Sequence, residues 1–116
     1  MTVSVKKQFD NVSDGIQNMI AAATHDYNKF CSNENMQKDF AEGWVLKEGQ
    51  KYIKVLNKNS CWGFIVKANN DPRFLIGDIL KPAGYNAPAR NKPRGNVMNG
   101  GYNINWTGPL YLWLLL

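Results

Sequence analysis

The spacing of apolar residues changes period once, at Gly43, and that change limits the fold more than any other feature. Before it, Val12, Ile16, Met19, Ile20, Ala23, Tyr27 and Phe30 step by three and four, the interval that lines one face of an α-helix. Asn11 or Ser13 can cap the start, and Asp14 suits the positive end of the helix dipole. Gln17, Asn18, Thr24, Asp26 and Lys29 fall between the stripe positions and form the expected polar outer face. Ser32-Asn33-Glu34 then reads as a break and a new cap. A second, shorter helix follows, turning Met36 and Phe40 inward and stopping at Gly43.

Beyond Gly43 the helical interval disappears. Short β-branched and aromatic runs alternate with turn residues: Gly43 to Leu46, a turn at Lys47-Glu48-Gly49-Gln50, Tyr52 to Leu56, and a turn at Asn57-Lys58-Asn59-Ser60. Cys61 to Val66 is nearly all apolar, as a central strand buried on both faces should be, and Gly63 permits a bend or a close approach there. Phe74 to Leu80 reads as the next strand, ended by Pro82. Tyr102-Asn103-Ile104-Asn105-Trp106 alternates cleanly after Asn99-Gly100-Gly101, which signals a hairpin from Val97-Met98. Leu110-Tyr111-Leu112 reads as a closing strand. Turn-punctuated strands of this kind predict an α+β fold, with two short N-terminal helices followed by a small, mainly antiparallel β-barrel or β-sandwich. The 116 residues, 44% of them apolar, suit a single domain, with a helical segment over 1–42 and a β unit over 43–116.

Several function classes find no support in the residues. No apolar run approaches the roughly 20 residues that span a bilayer, and no secretory pattern opens the chain. Cys31 and Cys61 are read as free, buried thiols rather than a disulfide. With one histidine, His25, and no paired-cysteine spacing, no metal site and no cofactor is expected. His25 belongs to the polar side of the first helix, and its spacing from Cys31 does not bring the two onto one face. Gly77-Asp78 before paired aliphatics is turn chemistry, which gives Asp78 a structural role. No phosphate loop, serine elbow or carboxylate pair occurs, so no enzymatic activity is expected.

The charge is one-sided. Residues 1–42 carry four basic and six acidic side chains, a net −2, and residues 43–116 carry ten basic and three acidic, a net +7. From Ile79 onward Lys81, Arg90, Lys92 and Arg94 have no acid among them. A distribution of this kind marks either a surface that meets an anion or a merely solvated basic face. The segment 82–96 concentrates it. Three prolines stiffen that stretch, Tyr85 offers a stacking face, and Arg90, Lys92 and Arg94 can hold a phosphate or carboxylate. Tyr85, Arg90, Lys92 and Arg94 are therefore the expected ligand-binding residues, for nucleic acid or a phosphate-bearing ligand. The plainer alternative pairs the arginines with Glu42, Glu48 or Asp71 and pins the segment to the barrel. The apolar end, Trp113 with Leu114, Leu115 and Leu116, is expected either to fold back under the helices or to meet another subunit or partner. The second course would make the chain a protein-interaction or virion-associated protein that docks on a host or phage partner.

An ordered set of segments resembles a known family. Trp62-Gly63-Phe64-Ile65-Val66 comes first, then Phe74 with Gly77-Asp78-Ile79-Leu80-Lys81. Ala87-Pro88-Ala89-Arg90-Asn91 and Arg94-Gly95-Asn96 follow, and Trp106-Thr107-Gly108-Pro109 with Tyr111-Leu112 completes the series. Over about residues 43–112 this order is similar to that of small uncharacterised proteins of tailed bacteriophages, cyanophage-like genomes foremost, and other large DNA viruses. The resemblance implies a viral origin and life in the host cytoplasm. It implies no activity. Pro93, where similar sequences have a small residue, and the terminal Trp113 and leucines depart from the family pattern.

Overall fold

A computed structural model describes residues 3–67 and 72–110. The first described element is a short strand, β1 (Val3–Val5), that the sequence pattern had not announced. Two helices follow, α1 (Val12–Phe30) and α2 (Glu34–Glu42). Both are capped as their sequences require. The Asn11 side chain accepts from the Asp14 backbone N–H at 2.8 Å, and Asn33 accepts from that of Met36 at 3.0 Å. Gly43 ends α2, donating its N–H to the Phe40 carbonyl.

The β unit holds β2 (Trp44–Glu48), β3 (Tyr52–Asn57), β4 (Ser60–Val66), β5 (Ile79–Leu80), β6 (Pro82–Gly84), β7 (Ala87–Pro88), β8 (Tyr102–Asn105) and β9 (Gly108–Pro109). All pairings are antiparallel. They build a four-stranded sheet β2-β3-β4-β5, a three-stranded sheet β1-β8-β9 and the small β6-β7 hairpin. The result is the expected α+β arrangement of two N-terminal helices and antiparallel sheets, in an open sandwich-like form.

The main core lies where α1 meets both sheets. Ile16, Met19 and Ala23 of the helical stripe pack with Val5, Tyr102 and Ile104 of one sheet and Ile53, Val55 and Ile65 of the other. Each large side chain buried this fully contributes about 1.5–3 kcal/mol. Phe64, Val66, Phe74 and Leu80 form a second cluster. Because side chains alternate along a strand, Ile65 serves the first cluster while Phe64 and Val66 serve the second. β4 is thus buried on both faces and has neighbours on both sides, which is why its sequence is nearly continuous in apolar residues. Gly63 allows the close approach: a Cβ there would lie 3.3 Å from the Leu80 carbonyl oxygen and from Pro109. A bulge between Val55 and Leu56 sits opposite.

Several expectations are corrected. Met36 is 51% exposed and does not turn inward. Asp26, expected on the outer face of α1, is buried and accepts the Trp106 backbone N–H at 2.9 Å. Of the expected strand from Phe74 to Leu80, only Ile79–Leu80 forms a sheet strand, and Asp78 makes an isolated bridge to Asn96. Asp78 accepts the Leu75 N–H through its side chain, and Gly77 takes φ +92°, so the chain turns before it can extend. Val97 and Met98 are not a strand. Asn99-Gly100-Gly101 turns the chain, but β8 pairs with β1 and β9, and the N–H of Gly101 bonds the Val5 carbonyl. Gly100 is required there, since a Cβ would sit 2.4 Å from the Lys6 carbonyl oxygen. Cys31 and Cys61 are free thiols, each half-buried rather than fully buried. The strand assigned to Leu110-Tyr111-Leu112 falls mostly outside the described residues, as do Trp113 and the terminal leucines; within them, β9 is the last strand.

Candidate functional site

The expected binding segment is not a projecting arm. Backbone bonds stitch it along β5: Arg94 N–H to the Ile79 carbonyl, Ile79 N–H to the Gly95 carbonyl and Ala89 N–H to the Lys81 carbonyl, all at 2.7–2.8 Å. β6 and β7 fold residues 82–88 into a hairpin. Asn96 bridges to Asp78, its side-chain amide donating to the Asp78 carboxylate at 3.0 Å. Asp78 therefore works as a turn and bridge residue.

This stitching separates the three cations. Arg94 is only 5% exposed, and its guanidinium donates to the Lys92 carbonyl at 2.9 Å. Its charge also acts inward. Burial first, and the Arg94 guanidinium second, hold the Lys81 ammonium below the usual lysine range, and Lys81 donates to the Pro109 carbonyl. Lys92 is exposed. Arg90 is exposed too, donating to the Tyr52 hydroxyl at 3.2 Å with its guanidinium 5.6 Å from the Phe74 ring centroid.

Tyr85, at the tip of the β6-β7 hairpin, is 48% exposed. The Lys54 ammonium lies 3.5 Å from its ring centroid and donates to the Asn86 side chain at 2.9 Å. Lys54 faces Lys47 directly across β2 and β3. Like charges in that position repel, so the sheet holds a concentration of positive charge that a bound anion would relieve. Beside it runs a shallow groove of about 280 Å³ whose walls include Lys47, Lys51, Tyr52, Lys54 and Asn86. Glu48 also lines the groove, and its carboxylate lies 3.3 Å from the Lys67 ammonium. Of the expected set, Tyr85 and Arg90 thus join one cationic and aromatic surface with Lys47, Tyr52, Lys54 and Asn86, and Arg94 leaves it for the interior. Sequence reasoning missed Lys47 and Lys54. Their positions on two strands joined by a short turn were the available signal, but only the register makes them face each other.

A second concavity lies at the other end of β3. It measures about 400 Å³ and is walled by Tyr27, Phe40, Trp62 and Trp106, with Asp39 and Lys58 at its rim. The walls are fixed. The Tyr27 and Phe40 rings stack at 4.2 Å, Trp106 meets Tyr27 edge-on at 5.1 Å, and the Trp62 indole N–H donates to the Trp106 carbonyl at 3.1 Å. Cys61 also lines this cleft, and burial pushes its thiol up, outweighing Lys54 and the Gly63 backbone, which pull the other way. That net direction is opposite to what a nucleophilic thiol needs.

Among the described residues, no three His, Cys, Asp or Glu side chains gather as a metal site would require, and no helix is long and apolar enough to cross a membrane. Comparison of the chain with protein-family models, curated proteins and solved structures finds no match.

Proposed function

We propose that this chain is a small, non-enzymatic binding domain of viral origin, acting in the host cytoplasm, that holds single-stranded nucleic acid on the outer face of its four-stranded sheet. One observation carries the reading: Lys47 and Lys54 oppose each other across the sheet, with an exposed tyrosine ring under one of them. Single-strand binders need cations that follow a phosphate backbone and aromatic rings on which bases stack. Lys47, Lys54 and Arg90 supply the first and Tyr85 the second. Arg94 supports the surface from within by fixing the 89–96 stretch, and Lys92 stands apart as an accessory cation.

Fluorescence anisotropy with a labelled single-stranded oligonucleotide tests this. Three phosphate contacts predict a slope of log affinity against log salt of about −2. Tyr85→Ala should weaken binding by about 1–3 kcal/mol, the usual worth of one stacked base. The double change Lys47→Glu with Lys54→Glu should abolish binding without unfolding the chain, because both side chains reach solvent. Wild-type affinity in that variant, or no binding at ~50 mM salt where phosphate contacts are strongest, rules the reading out.

A further inference from the structure

The aromatic cleft is not part of the cationic face. The groove lies at the Tyr52 end of β3 and the cleft at the Asn57 end. At about 400 Å³ it falls in the lower part of the range of roughly 300–1,000 Å³ typical of small-molecule sites. That is room for one two-ring molecule and too little for a helix or strand of another protein.

The wall chemistry selects what can enter. Tyr27, Phe40, Trp62 and Trp106 line it from α1, α2, β4 and the β8-β9 turn; Tyr27 and Phe40 cover each other's faces and, with Trp62, are at most 9% exposed, so Trp106 is the most open of the four rings. Rings so arranged favour a planar aromatic guest, in stacked or edge-on contact. The indole N–H of Trp62 is already engaged with the Trp106 carbonyl, and that of the neighbouring Trp44 with the Thr24 hydroxyl at 2.9 Å. Both bonds set the rings in place before any guest arrives, so little ordering remains to be done on binding. Met36, half-exposed at the mouth, has the adaptable thioether chain that suits a rim closing over a flat molecule.

The rim selects the guest's polar end. Lys58 takes φ +55° between two asparagines, a left-handed conformation in which Asn or Gly is the common choice and lysine is rare. Its backbone N–H is held by the Gly43 carbonyl at 2.7 Å, and its ammonium pairs with the Asp39 carboxylate across the cleft mouth. The two side chains are 52% and 62% exposed. An ion pair so open to water is held weakly and can exchange partners. One anion and one cation side by side complement a head group carrying both charges. A guest with only an anion would face Asp39, and a guest with only a cation would face Lys58.

From the cleft's size, its rings and this rim pair, we infer that the cleft binds a free aromatic α-amino acid, its ring against Trp106 and the wall formed by Tyr27, Phe40 and Trp62, its carboxylate on Lys58 and its ammonium on Asp39. The experiment titrates the full chain with L-tryptophan, tryptamine, indole-3-propionate and indole, following the indole N–H resonances of Trp62 and Trp106 by NMR. L-tryptophan should shift both resonances saturably. The two singly charged analogues should bind about tenfold more weakly, the equivalent of 1.4 kcal/mol. The double variant Asp39→Asn with Lys58→Gln changes only exposed groups. It should lose the preference for the zwitterion and keep the weak binding of indole. Absence of a saturable shift with L-tryptophan overturns the inference. So does equal affinity for all four probes, or a preference that survives in the double variant.

Discussion

A glycine inside a helix ordinarily invites replacement, since alanine there gains about 1 kcal/mol in helix propensity. Gly15 should show the opposite sign. It lies in the first turns of α1, and a Cβ at that position would sit 2.4 Å from the Val97 carbonyl oxygen and 2.8 Å from its carbon. The obstacle is backbone, and it is held on several sides. Val97 N–H bonds the Gly77 carbonyl, Gly100 N–H the Asn96 carbonyl, and the Met98 carbonyl accepts from Phe9 N–H. Relief therefore requires α1 to move off the 96–100 turn, which loosens the packing of Ile16 and Met19. Overpacking of this kind costs about 1–3 kcal/mol. Set against the propensity gain, Gly15→Ala should lose up to about 2 kcal/mol, and for a chain of this length each kcal/mol is roughly 4 °C in Tm. Thermal unfolding followed by helical circular dichroism measures it. Gly84→Ala is the control, because a Cβ there meets no atom within 4 Å. If Gly15→Ala unfolds at or above the wild-type temperature, the close seating of α1 on the 96–100 turn is wrong.

Two further changes probe the core that carries both sites. Burial pushes the Tyr102 phenol well above its usual 10.0. The unfolded tyrosine gives up its proton from about pH 10 while the folded one keeps it, so stability is unaffected below that pH and falls above it; Tyr102→Phe should lose less stability between pH 10 and 11, and equal losses in urea titrations of the two proteins would count against it. Asp26→Ala removes the buried acceptor of the Trp106 N–H and should cost about 1–3 kcal/mol, with Asp26→Asn, which keeps an acceptor oxygen, costing less; an Ala variant as stable as the wild type would show that the bond is not needed.

The parts of the fold that were legible in the sequence are those governed by local rules. The first helix and its stripe from Ile16 to Tyr27, a cap at Asn11 or Ser13, a new cap within Ser32-Asn33-Glu34 and Gly43 as the stop all follow from helical spacing and capping chemistry, which involve residues close in the chain, although Phe30, counted in the stripe, is 61% exposed. The centrality of β4 was legible because burial on both faces leaves a continuous apolar run. What failed involved partners distant in sequence. Asp26 occupies an outer-face position by spacing, yet a backbone N–H eighty residues later draws it inside. Asn99-Gly100-Gly101 has the composition of a hairpin turn, but the first three described residues take the pairing that Val97 and Met98 were expected to provide.

The same distinction explains the candidate sites. A run of cations in sequence says nothing about depth, and Arg90, Lys92 and Arg94 are only two residues apart while ranging from exposed to buried. The positive charge that does gather, at Lys47 and Lys54, lies on two strands whose alignment is set by the Gly49-to-Lys51 turn. A shift of one residue in that register would carry Lys54 to the core face and Ile53 or Val55 to the surface. Ile53 and Val55 belong to the main cluster with α1, so burying them is what forces Lys54 outward toward Tyr85. The cationic face is thus a consequence of core packing rather than of the basic composition. It follows that a change loosening α1, such as Gly15→Ala, bears on the cleft directly, through Tyr27, and on the cationic face only through the register of β3.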